Sequence, residues 1–246
     1  MTPVGRGAAP CVVLPHPAGK RFYIGRCRPG RPGWHRGAVN NFVPGFFDRA
    51  DPTPDDWFYD RPRLVTHVDE AAIEAIGALY SELGLEGRVL DVMSSWVSHF
   101  RTRPRELVVL GMNADELAAN SMATQWHVGD LNADPRLSFP AASFDAVTCA
   151  ASIDYLVRPL EVLHEVARVL RAGAPVVITF SNRWFPTKAI RGWLATDEAG
   201  RVDIVVGYLR AAGGYDEPEV RWPASSRGDP LYAVIARRSK PTATGD

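Results

Sequence analysis

The chain lacks most features that assign a protein to a class at sight. Its three cysteines, Cys11, Cys27 and Cys149, are odd in number, with no C-x-x-C pair and no histidine at metal-ligand spacing. Neither a disulfide framework nor a zinc site is indicated, and no metal is expected. No apolar run reaches the length of a membrane span, and the first residues lack the charged start and continuous apolar stretch of a signal peptide, so a reducing cytoplasm is the expected compartment. There is no G-x-S-x-G and no phosphate loop, and G-x-G-x-x-G does not follow the first predicted strand of the main domain. Net charge is missing too, 28 Lys and Arg matching 28 Asp and Glu.

The charge is unevenly spread. Residues 1–50 hold eight basic residues against the single acid Asp48, so they carry +7 and residues 51–246 carry −7. The mildly acidic body has no general nucleic-acid-binding character. At 246 residues with 46% hydrophobic residues, the length suits one sizeable α/β domain with a tail. Residues 1–40 are rich in Pro, Gly and Arg, as in "RCRPGRPGWHRG", without a sustained period of 2 or 3.6, and read as a flexible basic leader. The alternative is an arm that touches RNA or an acidic partner through Arg28, Arg31 and Arg36, with Trp34 stacking. Residues 41–68, aromatics among prolines and acids, suit an irregular cap laid over a core or pocket. The main domain is expected over 69–237, with a tail over 238–246.

Within that domain, "DEAAIEAIGALYSEL" places Ile73, Ile76, Leu79, Tyr80 and Leu83 on one helical face. Then come "RVLDV", a predicted short helix, "ELVVLGM", the helix "ADELAANS", "QWHV", "FDAVTCA", the helix "RPLEVLHEVARVL" and "APVVITF". "EPEVRW" and "PLYAVIARR" read as two closing strands. The α/β alternation with β-branched strands predicts a doubly wound, mostly parallel seven-stranded sheet with an antiparallel C-terminal edge. Ligands in such sheets sit at the carboxyl ends of the strands, where the winding reverses.

The phrases "VLDVMSSWVSHF", "VVLGMNADEL", "GDLN", "SFDAVTCAASIDYL" and "EVARVLRAGAPVVITFSNRWF" stand at those ends. In this order they resemble the class I S-adenosylmethionine-dependent methyltransferases, with their Rossmann-like fold. "FYDRPRLVTHVD", "DVMSSWVSH", "GMNADEL" and "FSNRWFPTKAI" resemble, more narrowly, the methyltransferase type 11-like subgroup, with a divergent D-x-M-S-S-W-V-S-H first motif. The resemblance covers about residues 41–237.

It implies S-adenosyl-L-methionine as cofactor and a small-molecule acceptor. The family's first motif has an acid followed by alternating glycines. Asp91 keeps the acid, while Met93, Ser95 and Val97 stand where glycines are usual. A bulky or β-branched residue is strained at positive φ by about 1–3 kcal/mol, so a different backbone path is expected here. Ser94 and Ser95 are then candidate donors to the cofactor's carboxylate, with Trp96 or His99 covering it. Gly111 and Met112 end the second strand, and Asn113 replaces the acid that bridges both ribose hydroxyls. Met112 and Leu117 flank the adenosine. Asp130 matches the acid that meets the adenine amino group, Leu131 offers a backbone N–H and an apolar contact, and Ala151 follows the fourth strand. Candidate bases are His67, His99 and Tyr155. Candidate substrate contacts are Tyr59, Arg61, Arg63, Asn182, Arg183 and Trp184, with Lys188 as a further cation and Phe185 as an aromatic wall.

Each motif also has a purely structural role open to it. Ser94 and Ser95 can cap a short helix, Asn113 can cap the next one, and Asp130 and Asn132 can be turn residues. Three functions therefore stay open: methyl transfer to an O, N or S atom of a small molecule, a non-catalytic binding protein, and an enzyme using the fold for another reaction. Oligomeric state is not set by any of these motifs.

Overall fold

The computed structural model describes residues 12–15, 21–24, 42–222 and 228–240. Cys11, Cys27 and the proposed arm of Arg28, Arg31, Trp34 and Arg36 lie outside the described residues. Within the leader, β1 (Val12–Pro15) and β2 (Arg21–Ile24) form an antiparallel pair, Val12 opposite Ile24. "VVLP" and "RFYI" are runs of four, too short for a period to register in the sequence.

The cap holds one short helix, α1 (Asp55–Tyr59), and α2 spans Glu70–Glu82. Asp69 caps α2, its carboxylate accepting from Ala72 N–H at 2.9 Å. The main sheet follows, with β3 (Arg88–Val92), β4 (Glu106–Gly111), α3 (Ala114–Ala118), β5 (Gln125–Val128), β6 (Ala146–Ala150), α4 (Pro159–Val169) and β7 (Pro175–Phe180). It is completed by α5 (Arg191–Leu194), α6 (Glu198–Ala212), β8 (Glu219–Arg221) and β9 (Tyr232–Arg237). The strand order is β5-β4-β3-β6-β7-β9-β8, and β9 runs antiparallel to both β7 and β8. Both the parallel body and the antiparallel edge are as the sequence predicts.

Strand residues alternate between two apolar layers because successive side chains leave opposite faces of a sheet. Leu90, Val108, Val147 and Ile178 pack with Val162, Val166, Ile204 and Tyr208 of α4 and α6. Val89, Leu107, Val109 and Val177 pack with Ile76, Leu79 and Tyr80 of α2.

The predicted short helix after β3 is absent. Residues 93–105 connect β3 to β4 without a helical turn, and Phe100 from this connection packs its ring 4.7 Å from that of Tyr80. Side-chain competition accounts for the loss. Ser94 turns its hydroxyl back to Asp91 (2.7 Å), Asn120 donates to both the Ser95 carbonyl (2.9 Å) and the Ser98 hydroxyl (2.8 Å), and short polar side chains so engaged favour turns over helix.

Candidate functional site

The winding reverses between β3 and β6, and a cleft partly open to solvent lies at the carboxyl ends of β3, β4, β5 and β6. Its floor comes from the strand ends and its roof from the cap segment 55–67.

Asp91 closes β3 and is almost fully buried. Thr148 Oγ1 donates to one carboxylate oxygen and Ser94 Oγ to the other, each at 2.7 Å. Burial raises its pKa to about 6, and the hydroxyl donors of Thr148, Ser94 and Ser98 hold it from rising further. Ser94 also donates its N–H to the Leu110 carbonyl at 2.8 Å, which lays the connection over the end of β4. There the chain needs a glycine, since a Cβ at Gly111 would overlap the Ser94 carbonyl oxygen.

The expected change of backbone path is only half right. Met93 takes the glycine-like conformation itself, at φ 53°, whereas Val97 avoids positive φ. Methionine is unbranched at Cβ and valine is not. Of the non-glycine residues at positive φ among the described residues, Met93, His99 and Ala151 all line the cleft. Strain of this kind collects at functional sites. The backbone N–H groups of Ser95, Trp96 and Val97, also in the lining, reach no acceptor among the described residues.

Asn113 caps α3, its Oδ1 accepting from the N–H groups of Asp115 and Glu116 at 3.0 Å each. Its Nδ2 donates to the carbonyls of Tyr59 (2.8 Å) and Asp60 (3.1 Å), so the side chain at the ribose-acid position is saturated. A carboxylate still faces the cleft one helical turn away. Glu116 accepts from Arg63 N–H at 2.6 Å and Ser95 Oγ at 2.6 Å, tying α3 to the cap and to the β3–β4 connection. Asp130 Oδ1 accepts from Asn132 N–H at 2.8 Å in an Asx-type turn, while Oδ2 has no hydrogen bond among the described residues. Leu131 and Met112 line the cleft beside it; Leu117 lies beneath, fully buried.

The three candidate bases differ. Tyr155 accepts from Phe185 N–H at 2.8 Å, and burial pushes its phenol far above the usual range. His99 is held down to about 4, chiefly by burial, and its Nδ1 has no hydrogen-bond partner among the described residues. His67 stands at the mouth, its ring edge-on to Phe185 at 5.2 Å. Desolvation on the cleft side lowers its pKa despite its exposed edge, against the upward pull of Glu116.

Of the candidate substrate contacts, Tyr59 and Arg63 line the cleft. Arg61 and Asn182 are exposed outside it, Arg183 pairs with Asp229 at 2.8 Å, and Trp184 packs under the guanidinium of Arg201 at 4.2 Å. Lys188 is a buried strut, its Nζ 3.0 Å from Asp51, 3.2 Å from Asp55 and 2.9 Å from the Thr53 carbonyl. Arg49 joins it on Asp55 at 2.8 Å, and Asn132 bridges Asp55 to the Tyr155 carbonyl at 2.9 Å each. Sequence reasoning missed Asp55 and Glu116, which read as ordinary acids of a loop and a helix start; no local signal distinguishes them.

Residues 83–178 match the family model of the methyltransferase domain, Methyltransf_11. A curated relative, prenyltransferase GME11375 of Pestalotiopsis microspora, is 26% identical over 181 residues, covering 69% of this chain and 37% of that protein. The chain thus spans little more than a third of that relative. Among solved structures, the [4+2]-cyclase SpnF aligns with a TM-score of 0.54 at 16% identity, covering 73% of this chain and 89% of the cyclase. An S-adenosylmethionine-dependent methyltransferase from Archaeoglobus fulgidus aligns with a TM-score of 0.50 at 15% identity, covering 68% and 94%. At such identities these structural likenesses speak for the fold alone. The match over residues 83–178 takes in β3 to β7 with the acid-ended β3, so that stretch of the chain is similar to the methyltransferase domain family.

Proposed function

We propose that the chain binds S-adenosyl-L-methionine in this cleft and methylates an O, N or S nucleophile of a small molecule. The observation that carries the reading is the pairing of an open carboxylate oxygen on Asp130 with undonated N–H groups at Ser95, Trp96 and Val97 across one cleft. These groups fit the two ends of the cofactor: Asp130 and Leu131 hold the adenine, and the β3–β4 connection receives the amino-acid end. Asn113 has no capacity left for the ribose, which leaves Glu116 as the acceptor on that side. The bound cofactor supplies an electrophilic methyl group on a sulfonium. The chain's part is to align the nucleophile, exclude water and receive a proton, for which neutral His67, with one edge open to solvent, is the assigned base.

The saturated Asn113 favours a second reading, in which the fold hosts a reaction other than methyl transfer. Calorimetric titration with S-adenosylmethionine and S-adenosylhomocysteine tests both. Micromolar binding, weakened at least tenfold in Asp130→Ala, is the expected result. No binding at millimolar ligand overturns the cofactor site and leaves the second reading.

A further inference from the structure

Arg49, Arg63 and Lys188 are three of the cations in or against the cap, and two of them, Arg49 and Lys188, are paired. Arg49 and Lys188 share Asp55, and Lys188 also meets Asp51. Arg63 alone of the three faces the cleft. Its guanidinium lies over the Phe58 ring, 4.3 Å from the centroid, and its Nη1 is buried with no hydrogen-bond partner among the described residues. It makes no ion pair among the described residues. The neighbouring carboxylate, Glu116, accepts from the backbone N–H of Arg63 and the hydroxyl of Ser95 rather than from the guanidinium. A charged donor withdrawn from water without a partner is costly, and stacking on a ring leaves its N–H edge unsatisfied.

We propose that Arg63 is the anion-binding residue of the cleft, and that the acceptor carries a carboxylate or similar planar oxyanion on a flat, unsaturated body. The fork of guanidinium N–H groups matches the two oxygens of a carboxylate. The flat body follows from the aromatic wall beside it, where the cleft is lined by Tyr59, His67, Trp96 and Phe185, with Phe185 braced by Phe58 (5.4 Å) and Tyr155 (6.0 Å). The inference rests on the methyl-transfer reading only in calling the anion an acceptor.

The test is calorimetric titration of the full chain with benzoate and its neutral isostere benzamide, alongside S-adenosylhomocysteine and 5′-methylthioadenosine, which lacks the carboxylate. The wild type is expected to prefer benzoate at least tenfold. Arg63→Gln should abolish the preference and leave S-adenosylhomocysteine binding unchanged, and Arg63→Lys should restore part of it, with thermal unfolding reporting that each variant is folded. Equal affinity for benzoate and benzamide overturns the proposal. So does an Arg63→Gln variant that loses S-adenosylhomocysteine but keeps 5′-methylthioadenosine, since the guanidinium then serves the cofactor's carboxylate. Benzoate preference without S-adenosylhomocysteine binding supports the anion site while overturning methyl transfer; the reverse pattern does the opposite.

Discussion

Two crossovers leave the middle of the sheet, from β3 to β4 and from β6 to β7, and they are built on different physics. The second is an amphipathic helix, α4, which sinks Val162, Leu163, Val166 and Val169 into the core. The first has no helix and is held by polar side chains instead, Asp91, Ser94, Ser95, Ser98, Asn120 and Glu116 linking it to β6 and α3. A helix satisfies its backbone internally and offers a ligand little beyond its ends. This loop, pinned by side chains, leaves the N–H groups of Ser95, Trp96 and Val97 without an acceptor among the described residues.

The difference can be broken most forcefully in the helical crossover. Leu163→Ala should lower the unfolding free energy by about 2–5 kcal/mol, as buried leucine truncations do, with affinity for S-adenosylhomocysteine unchanged at temperatures where the variant is folded. A matching loss of affinity would mean that the two crossovers are one unit. Gly111→Ala strikes the polar crossover. The overlap with the Ser94 carbonyl should cost about 1–3 kcal/mol and, unlike Leu163→Ala, weaken ligand binding at least tenfold, because the loop itself must move.

The smallest effect sharpens the contrast through pH. Each crossover begins with a buried acid, but Asp91 is held by hydroxyl donors while Asp154, before α4, leaves Oδ2 without a hydrogen-bond partner among the described residues. Burial accordingly raises Asp154 to about 8 and Asp91 to about 6. For a raised acid the stability is complete below its unfolded pKa and is lost as pH rises through the folded value. Between pH 6 and 8 the contribution of Asp154 should be lost at up to about 1.4 kcal/mol per pH unit, and Asp154→Asn should flatten that slope in denaturant titrations. An unchanged slope would show that Asp154 is ionised in the fold. His99 acts in the opposite sense, its contribution present above the unfolded histidine pKa and lost as pH falls towards 4.

The sequence made the sheet legible because β-branched runs such as "VVITF" and "AVTCA" carry their own conformational preference. It hid α6, where "RVDIVVGYL" is β-branched and buried over most of its girth, so that no amphipathic stripe marks it. The site was legible where a residue's role is local, as with the cap of α3 by Asn113 or the turn at Asp130. It was opaque where the partner is distant in sequence. Glu116 meets the Arg63 backbone 53 residues away, and no pattern within α3 announces that contact.

The strut formed by Lys188 has a temporal side. Its bond to Thr53 joins positions 135 residues apart, and its ion pairs to Asp51 and Asp55 close the same long loop. Contacts of such separation come late in folding, because the chain must first surrender the entropy of closing the loop. The Lys188 strut is therefore a late closure of the cap. During synthesis the cap leaves the ribosome early and can meet Asn113 and Glu116 once α3 has emerged, but its ion pairs to Lys188 wait until β7 and the turn beyond it have followed.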